Sequence, residues 1–265
     1  MAEGRDAKDP AGGAAAEAPL PSPERLSIYT FRSRYHALNL PLWIGLIAVV
    51  LVLLHILLMH LFHKYDHLPK DDPDRIRWYL VSVFDLGEEE SFGTYFSAVL
   101  LLFIGRIAWG HAKQLFRARE VWAIWWILLA AVFHILSLEE VVNLHTTLKE
   151  WFRRQDVPIE GNSMRGVLLW ISLFVSAAMV PFLWHVRGRF AAITAAAGAL
   201  YLLGALGIDH WQGKVQHPEY EDRFMWVALE EALEMLAPVL FLHGLLAYLA
   251  RDPRGIVEEK VEVLR

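Results

Sequence analysis

Six apolar runs, each roughly 18–25 residues long, limit what this chain can fold into more than any other feature it has. They cover residues 41–62, 92–109, 121–138, 166–186, 190–208 and 226–250. A helix rises about 1.5 Å per residue, so about 20 residues cross a hydrocarbon core about 30 Å thick. No water reaches that core to satisfy peptide N–H and C=O groups, which leaves only helices and closed barrels. Barrel strands would be about 10 residues of alternating polarity, and these runs do not alternate. The expected fold is therefore all-α: a polytopic membrane helix bundle with about six transmembrane helices.

Composition agrees with this. The chain is 55% hydrophobic, against about 45–50% in soluble domains. Trp43, Trp109, Trp122, Trp125, Trp126, Trp184, Trp211 and Trp226 stand at or near the ends of the runs, where an amphipathic ring suits the headgroup region. There is no cysteine, which excludes disulfides, thiolate zinc sites and iron–sulfur clusters. Nothing in the charge pattern points to nucleic acid. The first 26 residues are rich in Ala, Gly and Pro and lack a cleavable signal's apolar core. Residues 1–35 are expected as a disordered tail, 36–252 as the six-helix membrane domain and 253–265 as a second short tail.

Six crossings put both termini on one side. On that side Lys113, Arg117 and Arg119 follow the second run and Arg187 and Arg189 follow the fourth. The positive-inside rule then makes both termini cytoplasmic, in a bacterial inner (plasma) membrane. The opposite side collects polar groups from five runs. The first run ends at His60, His63 and His67, and the second is preceded by Asp85, Glu88, Glu89 and Glu90. The third runs out through Ser137, Glu139, Glu140, Asn143 and His145, the fifth ends at Asp209 and His210, and the sixth begins with Glu230, Glu231 and Glu234. Five clusters at one depth point to a shared site near the outer leaflet.

Each cluster also has a plainer explanation. At about 100° per residue, Glu230, Glu231 and Glu234 share an arc of roughly 100°, with Pro238 one turn beyond and expected to kink the helix. Intramembrane carboxylates cost several kcal/mol unless paired, protonated or metal-bound; a helix that starts deeper would leave them solvated instead. Glu139, Glu140, Asn143 and His145 combine carboxylate, amide and imidazole, ligand types for zinc, iron or manganese. They are equally a wetted helix end, and the Glu-x-x-His of di-iron bundles is absent, because Asn143 stands three residues after Glu140. His60, His63 and His67 share a face and resemble one histidine box of membrane desaturases, but a single box on the wrong side excludes that family. Thr94 and Ser97 extend the acidic start of the second run into a polar stripe that could orient a headgroup, hydrate a proton path or bond neighbouring helices. His55, His134, His185 and His243 are single histidines, and haem ligation by a pair of them is disfavoured. The Ala195–Ala199 stretch with Gly204 and Gly207 is a small-residue packing face.

Phosphate loops, dinucleotide glycine fingerprints, nucleophile elbows and His-Glu-x-x-His are missing from the sequence, as is a convincing inverted repeat. The run Leu136-Ser137-Leu138-Glu139-Glu140…His145, with Thr94-Tyr95-Phe96-Ser97 and Glu230-Glu231-Ala232-Leu233-Glu234-Met235, resembles uncharacterised bacterial multi-pass membrane proteins with a Ser-Leu-Asp/Glu-Glu…His motif. That resemblance implies the same three clusters and brings no activity with it.

The expected function is a membrane protein with a divalent-metal site. Glu139, Glu140, His145, Glu230, Glu231 and Glu234 would be ligands, supported by His60, His63, Asp85, Glu88, Glu90, Ser137, Asn143, Asp209 and His210. As an enzyme it would direct metal-activated water or dioxygen at a lipid-like substrate. A proton- or cation-coupled transporter would use the same glutamates as carriers. An accessory subunit would satisfy them with partner groups from other membrane subunits or a second copy of itself.

Overall fold

The computed structural model describes the backbone of residues 23–62, 72–73, 75–88, 90–143, 147, 161–208 and 220–250, with side chains from 39, 170 and 224 onward in the first and last two long segments. The contacts divide the chain between His36 and Ala37, and the unit from Ala37 onward contains the apolar helices. All the described secondary structure is helical. The helices are α1 (Pro23–Phe62), α2 (Arg75–Ser82), α3 (Phe92–Arg117), α4 (Ala123–Val142), α5 (Gly161–Val186), α6 (Gly188–Leu202, continued by the π-helical turn Leu203–Ile208) and α7 (Tyr220–Leu249). The expected tail 1–35 overlaps α1, which begins at Pro23. The tail 253–265 lies outside the described residues.

Five of these helices carry stretches long and apolar enough to cross a membrane: Asn39–Phe62, Phe92–Arg117, Ala123–Val142, Gly188–Ile208 and Phe224–Leu249. The fourth expected run forms α5, whose described apolar part, Trp170–Val186, is shorter. Much of the outward surface is apolar: Trp170 is 73% exposed and Phe174 76% exposed. Exposed apolar surface of that kind suits contact with lipid or with another apolar surface. The protein is an all-helical bundle whose five long apolar helices are compatible with an integral membrane protein.

Local sequence explains where the helices start and stop. Ser91 caps α3, its Oγ accepting the Thr94 N–H at 3.2 Å. Arg119, with φ at 57°, turns the chain out of α3 while the Glu120 N–H reaches back to the Leu115 carbonyl, the six-to-one bond of a left-handed helix cap. Asn143 closes α4 in the same left-handed conformation, with φ at 49°, a conformation that Asn tolerates better than most residues.

Side-chain contacts give the helix directions. Ser137 meets Ala98 while Trp126 meets His111, so α3 and α4 are antiparallel. Phe190 meets Tyr248 and Gly204 meets Glu234, so α6 and α7 are antiparallel. Phe133 packs on Phe241 and Trp126 on Tyr248, so α4 also opposes α7. Trp122 stacks on His185 at 3.7 Å while Trp126 packs on Phe182, so α5 runs against α4. Gly45 faces Val239 and His55 bonds Phe224, so α1 opposes α7.

Trp126 corrects one expectation. Its sequence position suggests an interfacial belt, but it is 1% exposed and among the largest fully buried side chains, set among His111, Phe182, Phe190 and Tyr248. The small-residue face of α6 is also narrower than expected. Ala197 and Gly204 are buried, whereas Ala195, Ala196, Gly198 and Ala199 are exposed.

Candidate functional site

Three segments converge where α4 ends and α7 begins. Glu139 and Glu140 come from the last turns of α4, and Glu230, Glu231 and Glu234 from the early turns of α7; all five are half-buried. Glu231 lies within electrostatic reach of Glu234, Glu140, Glu230 and Asp85. Tyr201 of α6 lies within electrostatic reach of both groups, through Glu234, Glu140, Glu139 and Glu231. Two of the three sequence clusters thus meet around a tyrosine that no motif singles out. Its one signal in the sequence is its position, a phenol shortly after the small-residue stretch Ala195-Ala196-Ala197-Gly198-Ala199.

The helix carrying Tyr201 is shaped for this approach. A Cβ on Gly204 would lie 3.0 Å from Glu234 Cγ and 3.1 Å from the Glu230 carbonyl oxygen, so any larger residue would have to push α6 and α7 slightly apart. The π-helical turn Leu203–Ile208 begins immediately after Leu202, and such turns recur at functional sites because they loosen the helix ladder. Gly204 is expected as a general packing residue; it lies against the glutamates themselves. Pro238, one turn after Glu234, has no N–H to donate within the helix.

Asp85 reaches the group through a scaffold built on His55. The His55 ring is fully buried in α1. The Leu86 amide can only donate, so Nδ1 accepts at 3.1 Å; the Phe224 carbonyl can only accept, so Nε2–H donates at 3.1 Å. The ring is therefore neutral, in its Nε2–H tautomer. Asp85 Oδ1 stands 3.5 Å from Nδ1 and accepts the Gly87 N–H at 3.0 Å. One imidazole thus joins α1, the turn before α3 and the start of α7, and anchors the backbone next to Asp85.

The other expected participants are placed elsewhere. Ser137 donates to the Ala98 carbonyl at 2.8 Å and staples α4 to α3. Asn143 caps α4, and with Glu90 and Thr94 it lines a separate cavity of about 250 Å³. Thr94 is engaged in the α3 cap, bonding Ser91 Oγ at 3.2 Å and the Glu88 carbonyl at 3.4 Å. The polar stripe is therefore helix capping at its outer end. Glu88 is exposed, and His60 is exposed in the last turn of α1. His134 donates Nδ1–H to the Ala130 carbonyl at 2.6 Å. His63, His67, Glu89, His145, Asp209, His210 and Trp211 lie outside the described residues.

The metal expectation finds no support here. Among the described residues no group of three or more His, Asp or Glu side chains is placed to hold a metal ion. The five glutamates are near enough to feel one another's charge but do not converge as ligands on one point.

Next to the carboxylates lies an apolar cavity of about 380 Å³ lined by α3, α4, α5, α6 and α7. Leu101, Phe133 and Phe241 are among its buried walls, and Ile135 (59% exposed) and Ile171 (54% exposed) stand where it opens on the outside of the bundle. Tyr201 belongs to both the cavity wall and the carboxylate group.

The fold and site define a membrane helix bundle with a polar centre at one end. The chain belongs to the family described as Domain of unknown function (DUF8692), whose model matches residues 43–249 and so takes in every helix that contributes to the site. No curated protein and no solved structure matches the chain.

Proposed function

We propose that this is a six-crossing inner-membrane protein, with both termini cytoplasmic, whose outer-leaflet carboxylates reversibly take up a cation. The helix directions support six crossings. With α1 and α4 both opposed to α7, and α5 running against α4, α5 has to return across the membrane for α6 to oppose α7. The basic residues between α3 and α4 and around Arg187 support the orientation.

The observation that carries the cation reading is the meeting of α4 and α7 glutamates around Tyr201 inside apolar helices. Carboxylates packed this way in apolar surroundings are stabilised by protons, metal ions or other cations that offset their charge, as well as by hydrogen bonds. A proton is the cation that this arrangement accommodates without a convergent ligand shell, which favours proton- or cation-coupled transport. A divalent metal (zinc, iron or manganese) is the second reading, favoured by the number of carboxylates from two helices.

Two measurements separate these. Elemental analysis of untagged protein purified without added metal reads metal directly. Proton flux into liposomes under an imposed potential reads transport. Flux that Glu140→Gln and Glu234→Gln each reduce about tenfold or more, without bound metal, supports the transport reading. Stoichiometric metal lost in both variants supports the metal reading. Neither flux nor metal, with both variants unchanged from wild type, rejects uptake of a proton or a metal ion.

A further inference from the structure

We propose that the lateral cavity binds a single-chain amphiphile with a cationic amine head, its alkyl chain between α4, α5 and α6 and its amine at Tyr201 beside the glutamates. This rests on the cation reading and gives the cation a chemical class.

Three observations meet at this cavity. Its volume, about 380 Å³, lies in the range of small-ligand sites, about 300–1,000 Å³. Its lining is almost entirely hydrocarbon: Val132, Val175, Ala197 and Leu202 join the walls named above, and the few hydroxyls are those of Ser172, Ser176, Thr194 and Tyr201. Its mouth lies between Ile135, within the apolar span Ala123–Val142, and Ile171, near the start of the shorter apolar stretch Trp170–Val186. A ligand therefore enters sideways from the bilayer rather than from water, which selects a molecule already dissolved among lipid chains.

The polar end sets the head group by charge complementarity. Tyr201 closes the cavity beside Glu140, Glu231 and Glu234. A phosphate or carboxylate head would be repelled by these groups. An ammonium offers up to three donors to carboxylate and phenol oxygens. The arrangement accordingly discriminates by charge at the head and by length and thickness along the tail.

The test uses the full chain in phosphatidylcholine nanodiscs and three photoreactive probes of equal chain length, each with a diazirine on the chain. One ends in a primary amine, one in an alcohol and one in a carboxylate. Labelled peptides are identified by mass spectrometry, with excess unlabelled dodecylamine as competitor. The amine probe is expected to label the α4 and α5 cavity walls about tenfold or more above the other two, as a charge-assisted hydrogen bond would require. Dodecylamine should suppress that labelling.

Ala197→Phe, which fills the cavity, should abolish it. Ile171→Trp obstructs the mouth from an exposed position and serves the same purpose if the buried change prevents folding. Glu234→Gln should leave alkyl labelling in place but remove the preference for amine. Equal labelling by all three probes overturns the proposal, as does labelling that survives both Ala197→Phe and Ile171→Trp. Amine preference lost while proton flux persists rejects the amphiphile and leaves the cation reading standing. Amine-selective labelling without flux or metal rejects inorganic cations and assigns the carboxylates to the amphiphile alone.

Discussion

His55 shows how much one side chain can organise in a chain without disulfides. A lone membrane histidine invites thoughts of haem or metal, yet both of its nitrogens are engaged by backbone groups from two other segments. Removing the ring would take away the partner it gives to the Leu86 amide and the Phe224 carbonyl. His55→Ala is therefore expected to cost about 2–4 kcal/mol, read as a lowered unfolding midpoint in detergent. It should also weaken cation uptake, because the Leu86 amide next to Asp85 loses its anchor. A variant with wild-type stability would show that the ring is not the junction. The glutamates behave differently: each Glu→Gln keeps size and loses charge, so uptake should fall while folding holds.

At the level of the element, helix ends and one interrupted helix decide what the site looks like. Asn143 has the chemistry of a ligand, but its left-handed backbone gives a sufficient reason for the residue. Asn143→Gly should be close to neutral in stability and in cation uptake, whereas Asn143→Val should cost about 1–2 kcal/mol by forcing a branched residue into that conformation. Loss of uptake in the glycine variant would return Asn143 to the site. Gly204 makes the reverse case, since the π-helical turn after Tyr201 brings α6 against the glutamate face of α7. Gly204→Val should separate the two helices at a cost of about 1–3 kcal/mol. It should also abolish amine-selective labelling while leaving the protein in the membrane. Retained labelling would mean that the close approach is not needed.

For the whole molecule, the decisive question is how many times the chain crosses. Having no cysteine, it accepts single reporter thiols cleanly. Val121→Cys, at a position 81% exposed between α3 and α4, and Arg189→Cys, at the exposed start of α6, should both react only from the cytoplasmic side. Pro73→Cys should react only from the opposite side. With five crossings Val121 and Arg189 would face opposite compartments, and that result would overturn the six-crossing topology.

Hydropathy alone determined that this is a membrane helix bundle, because a spanning helix is a local object whose length and apolar content are written in consecutive residues. Periodicity likewise put Glu230, Glu231 and Glu234 on one arc. Whether Glu140 and Glu234 meet could not be read that way, since nothing local relates residues 94 positions apart. Only packing brought them together around Tyr201, took Ser137 and Asn143 out of the site and buried Trp126 instead of leaving it at the interface. The apolar cavity was invisible for the same reason: its walls come from five helices, each of which reads in isolation as an ordinary stretch of lipid-soluble sequence.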